Sequence, residues 1–133
     1  VPPLNYVLIG RWIGHLAHGR LSHESIAAAP PIQGEAVLGW VVHYATGVVF
    51  AALLLAVWGV EWARDPTPGP ALLVGVATVA APLLVLQSGM GAGIAASRTP
   101  RPNVSRFRSV VAHISFGIAL YAAALIAAPL LPA

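Results

Sequence analysis

The chain has no cysteine and no lysine, and its only acids are Glu24, Glu35, Glu61 and Asp65. Without cysteine there is no disulfide framework, Zn–thiolate site, thiol nucleophile or Cys-ligated iron–sulfur cluster, and the redox compartment cannot be read. With four scattered acids, neither a carboxylate pair nor a Ser/His/Asp order stands out, so the expectation is a non-enzymatic protein. All seven basic residues are arginine, a composition that points to a GC-rich bacterial genome.

Charge is scarce as well. Charged residues make up 8 % of the 133 residues and hydrophobic ones 58 %, whereas a soluble domain carries about 25 % charged residues. Between Glu35 and Glu61, between Asp65 and Arg98, and from Arg108 to the end there is no charge at all. A disordered chain would be polar, and a soluble helical core would show amphipathic stripes in place of apolar runs. The chain therefore reads as an all-α integral membrane protein, a single small bundle domain over residues 1–133. The net charge of +3 does not point to nucleic acid. The arginines flank the apolar runs, where a bilayer with anionic headgroups is the expected partner.

Three spans are expected, over about residues 36–60, 70–88 and 109–130. The first would cover about 37 Å at 1.5 Å per residue, enough for a hydrocarbon core of about 30 Å. Trp40 and Tyr44 near one end and Trp58 and Trp62 near the other fit aromatic belts. Pro70 opens the second span, and Pro82 should kink it. A shorter helix over about residues 5–18, capped by Asn5, is expected to lie in the interface with Trp12 as anchor. Val1 to Leu4 reads as a proline-containing lead-in. Arg20–Gly34, Glu61–Gly69 and Arg98–Arg108 read as loops or turns, and Gly89–Ser97 as a short helix or re-entrant segment. Arg11, Arg20, Arg98, Arg101, Arg106 and Arg108 fall on one side and Arg64 on the other. That split predicts an inner-membrane protein with the N-terminal segment and the Arg98–Arg108 loop in the cytoplasm. No signal peptide is visible, and the start at Val1 reads as internal.

Two histidines sit inside the apolar runs, His43 and His113. Each shares a helix stripe with small residues: Gly39, His43, Gly47 and Ala51 in one, Ser109, His113, Gly117 and Tyr121 in the other. Small residues at this spacing let helices approach closely, so both imidazoles are expected to face the bundle at similar depth. An ionisable side chain in a membrane interior is a candidate site. Four readings follow. The histidines hydrogen-bond across helices; or they bind a transition metal with Glu35, His15 or His18; or they ligate a haem axially; or they handle protons or a small solute. His15, His18, His23 and Glu24 form a ligand-rich stretch, but the plainer reading is a polar face touching headgroups. Gly91-Ala92-Gly93-Ile94-Ala95-Ala96 mimics a dinucleotide fingerprint, yet follows a membrane helix and no strand.

Several runs recur together. They are Asn5-Tyr6 with Gly10-Arg11-Trp12, Gly39-Trp40 with His43-Tyr44, and Pro66-Thr67. Further on come Gly89-Met90-Gly91 with Gly93, Ala95-Ala96-Ser97 with Thr99-Pro100, and His113 with Phe116-Gly117 and Leu120-Tyr121. This ordered set resembles a bacterial inner-membrane domain family of unknown function, the "twenty-nine thirty-eight" family, over nearly the whole chain. The resemblance implies a multi-span membrane protein and transfers no activity. It also implies a fourth span ahead of the segment matching Val1, which this chain is expected to lack. Ser88 departs from the proline that often follows the family's glutamine. The resemblance places Glu35, His43 and His113 in the family pattern. The functional expectation is an accessory or scaffold subunit that associates with other membrane protein subunits. The alternatives are a metal- or haem-binding membrane protein using His43 and His113, and a small transporter.

Overall fold

Asn5 opens the first helix by accepting the Val7 amide on its side-chain oxygen at 3.0 Å, which satisfies one of the unpaired N–H groups at a helix start. The computed structural model describes residues 5–132; the expected lead-in Val1 to Leu4 lies outside them. Helix α1 is Tyr6–Ala17 and α2 is Glu35–Arg64. Helix α3 is Pro68–Gly89 and α4 is Pro102–Ala127. Among the described residues there is no strand. α2, α3 and α4, the last with a short 3-10 tail, are each long and apolar enough to cross a membrane. The all-α class with three such helices is therefore as the apolar runs predict.

The helices differ from the expectations in four places. α2 is broken at Gly59, whose φ of 78° and ψ of 167° lie outside the helical region, and only glycine adopts that backbone at little cost. Residues Ala81–Leu86 of α3 form a π-helix. Pro82 has no N–H to return to the carbonyl four residues back, and the chain answers by widening the turn. The expected loop Arg98–Arg108 is helical from Pro102 onward, because proline's fixed φ suits a first helical position. Between α3 and α4 only a 3-10 turn, Ile94–Ala96, is regular. Ala95 and Ala96 there hold positive φ values of 50° and 61°.

The chain forms two compact units. The first runs to Thr46 and resumes over Ala80–Arg108; the second is Gly47–Val79 and Ser109 onward. In the first, α1 lies directly on the start of α2. A methyl group on Gly10 would overlap the Glu35 carbonyl, and one on Gly39 would overlap the Tyr6 carbonyl. This is the small-residue contact that lets two backbones touch. Trp12, Ile26 and Ala29 form the core beneath, with Leu8, Ile13, Leu16, Leu86 and Met90 against it. Trp12 is buried and donates its indole N–H to the Leu21 carbonyl at 3.0 Å. It is thus a core residue and not the exposed anchor its place on α1 had indicated. The irregular segment after α1 is tied to the end of α3 by main-chain bonds from His23 to Gly89 and from Ile26 to Met90, both 3.0 Å.

In the second unit the core is Leu54, Trp62, Ala71, Val74 and Ala124, with Leu120 and Tyr121 packed on it. Another glycine seam closes it: a methyl on Gly75 would lie 2.6 Å from the His113 carbonyl, and one on Gly117 2.8 Å from the Ala71 carbonyl. Trp62 is buried, with its indole N–H donated to the Thr67 carbonyl at 3.1 Å. Arg64 pairs with Glu61 and donates to the Pro132 carbonyl at 3.1 Å.

Candidate functional site

Glu35 is the first residue of α2, and Arg11 stands on α1. The glycine contact between Gly10 and Gly39 brings these two positions together. Arg11 grips the carboxylate with two donors, Nε to Oε2 at 2.8 Å and Nη2 to Oε1 at 2.7 Å. Its remaining Nη1 donates to the carbonyls of Ala27 and Ala29, each at 3.2 Å. Glu35 Oε2 also accepts the Ile32 amide at 2.9 Å, which ties down the residues leading into α2. Both side chains are largely shielded from solvent. The hydrogen bond to Glu35 raises the Arg11 guanidinium further above its ordinary value, against a smaller opposing effect of burial. The forked geometry gives direction as well as strength. Glu35, expected as a fourth ligand for a metal, spends its oxygens on this clamp.

His15 and His18 belong to the same unit. His15 Nε2 lies 3.0 Å from the Pro30 carbonyl, and His18 Nδ1 lies 2.9 Å from the Gly14 carbonyl. The His15 ring meets the His23 ring edge-on, with centroids 5.1 Å apart. His43 sits in an aromatic cluster, 4.5 Å from the Tyr6 ring, 5.5 Å from Tyr44 and 5.9 Å from Trp40. Trp40 and Tyr44 stack on one another one helical turn apart, and both are exposed. This is the composition of a membrane-interface belt, rings apolar in body and polar at one edge.

His113 belongs to the second unit. Its Nδ1 meets the Thr78 hydroxyl at 3.1 Å, and its ring lies 6.3 Å from that of Phe50. Thr78 is buried, and its hydroxyl also reaches the carbonyls of Val74 at 2.8 Å and Gly75 at 3.0 Å. The interhelical hydrogen bond is one of the roles the sequence leaves open for this histidine, and it is made. Among the described residues, no three His, Asp or Glu side chains gather in a group that could hold a metal.

Two features escaped sequence reasoning. One is the Arg11–Glu35 clamp; its signal was the lone arginine of a mostly apolar helix and the lone acid at the head of the next. The other is His23, which is buried at 7 % exposure with neither ring nitrogen bonded among the described residues. No local pattern distinguishes it from its exposed neighbours.

The chain is thus a small multi-span membrane protein. No curated protein and no solved structure matches it. One family description, "Protein of unknown function (DUF2938)", matches residues 1–127, and the chain belongs to that family.

Proposed function

We propose that the protein is a non-enzymatic accessory or scaffold subunit of a bacterial inner-membrane complex, with α2 receiving a helix of a partner subunit. One observation carries this reading. Val37, Val41, Tyr44, Val48 and Leu55, together with half-buried Ala51, follow one another at alternating steps of four and three residues along α2. The five large residues of that seam are all exposed. A seam of this period is the surface into which a second helix inserts its side chains. The glycine contacts support the role, since they fix the helices of each unit backbone to backbone and leave this face outward. The arginine split supports an orientation with the N-terminal segment and residues 98–108 in the cytoplasm.

The reading is tested by isolating the protein from native membranes with a mild detergent and weighing the complex. A partner present in fixed stoichiometry, and lost in Val41→Asn/Val48→Asn, is the expected result. A monomer bearing lipid alone, unchanged by that substitution, overturns it. Single cysteines at Ser22 and Thr67, in a chain with no other thiol, test the orientation. Ser22→Cys should be labelled only after the membrane is opened, Thr67→Cys before.

A second reading, a metal- or haem-binding membrane protein using His43 and His113, is favoured by one detail. His113 engages Thr78 through Nδ1, the type of hydrogen bond that holds a ligating imidazole with Nε2 free. A Soret band shifted by His43→Ala, or a stoichiometric metal lost in His113→Ala, supports it; a spectrum and metal analysis without either refutes it.

A further inference from the structure

The first unit contains a cleft of about 860 Å³ beside the end of α3. Arg20, His23 and Glu24 line it from the segment after α1, Ser88 from α3, and Arg98 from the segment before α4. Its polar groups are poorly matched by the protein itself. His23 is more than nine-tenths buried, yet both ring nitrogens lack a partner among the described residues. The buried Ser88 hydroxyl lacks one too. Buried polar groups in native proteins are bonded to protein, water or ligand, so these atoms call for a group the chain does not supply.

The arginines tell the same story. Arg11, Arg64 and Arg106 direct their guanidinium groups at carboxylates or carbonyls of the chain. Among the described residues, no ion pair engages Arg20 or Arg98. Both are exposed at the cleft. The cleft wall also includes Gly93 and Ile94, whose main-chain N–H groups meet no main-chain acceptor among the described residues. The cleft is therefore rich in donors and cationic, with Glu24 as its one acid.

We propose that this cleft binds a phosphate-bearing group, with Arg20 and Arg98 pairing its oxygens and Ser88 and His23 donating to them. Forked guanidinium donors suit phosphate oxygens bidentately. The space exceeds that of a bare anion, so the phosphate is an ester with further bulk. Glu24 suits an ammonium group on that bulk, as in a zwitterionic headgroup. The shared chemistry has two sources, a lipid headgroup or a soluble phosphate ester. The cleft's place at the end of an apolar span puts it at headgroup depth.

The test uses the full chain in phospholipid-free detergent. Glycerol 3-phosphate and short-chain phosphatidylethanolamine and phosphatidylglycerol are titrated separately, with 15N spectra of the histidine rings as readout. Saturable binding that perturbs the His23 resonance is expected. Arg20→Ala/Arg98→Ala should weaken it about ten- to a hundredfold, the range for losing charged hydrogen bonds. Arg101→Ala, which lowers the charge outside this cleft, should leave it within about twofold. A response to glycerol 3-phosphate identifies a soluble ester, and a response to the lipids alone identifies a headgroup. Three results overturn the proposal: no saturable binding of any probe, equal weakening by Arg101→Ala, or a His23 resonance that reports bound water and ignores every probe. Circular dichroism checks folding, and Arg20→Lys/Arg98→Lys, which keeps the charge, should restore part of the affinity.

Discussion

A single methyl group on Gly39 should separate α1 from α2. It would lie 2.6 Å from the Tyr6 carbonyl carbon and 3.2 Å from the Gly10 nitrogen, and would overlap the Tyr6 oxygen. Carbon atoms rest comfortably at about 3.5–4.0 Å, so α1 must retreat by about 1 Å. The obstructing atoms are backbone, which cannot rotate aside as a side chain can. Overpacking of this kind costs about 1–3 kcal/mol, and this site belongs at the upper end. Alanine returns about 1 kcal/mol through helix propensity, which leaves Gly39→Ala destabilised by about 2 kcal/mol. Gly47 supplies the control on the same helix. There the nearest atom to an added methyl is Phe116 Cε2 at 3.8 Å, an ordinary contact. Only the propensity gain remains, so Gly47→Ala should stabilise by about 0.5–1 kcal/mol. Tryptophan fluorescence during SDS titration of mixed micelles measures both. Opposite shifts of the midpoint are expected; a Gly39→Ala protein that unfolds with the wild type, or two variants shifted alike, would refute the backbone-contact argument.

Three further outcomes follow from the geometry. Glu35→Gln keeps the side chain's shape but removes the charge that Arg11 grips, so amide exchange at Ile32 and through residues 26–35 should accelerate; unchanged protection there would show that the clamp does not hold the segment. Trp12→Phe removes the bond to the Leu21 carbonyl and should cost about 1 kcal/mol, read from the same SDS titration, whereas an exposed anchor would lose nothing. Ala95→Gly relieves a left-handed backbone and should stabilise by about 1 kcal/mol. Ala96→Gly should change little, because Ala96 is fully buried and its lost methyl offsets the relief; equal gains at both sites would contradict this.

The three spans were legible because hydropathy and charge act locally, and a run without charge reveals itself along the chain. The cap at Asn5 was legible for the same reason, since its hydrogen bond reaches only Val7. The stripe containing Gly39 and that containing Gly117 correctly marked where backbones touch. What failed to show were pairings between distant residues. Arg11 and Glu35 are 24 residues apart, and nothing in either neighbourhood specifies the other. Trp12 looked like an anchor because its own helix is short and amphipathic; its burial depends on the segment carrying Ile26 and Ala29. The π-helical turn was half visible: Pro82 announced a disturbance but not whether the helix would bend or widen.

That widened turn has a consequence for how the chain can vary in length. A π-helical stretch accommodates a residue that a plain α-helix would not. Deleting one residue between 81 and 86 would let the α-helix close normally and turn everything after it by about 100°. Met90 would then swing out of the Trp12 core, and Ser88 would leave the cleft wall. Substitutions across Ala81–Leu86 leave that count intact, whereas a one-residue gap does not. The turn acts as a spacer whose length, more than its composition, sets which face the end of α3 presents.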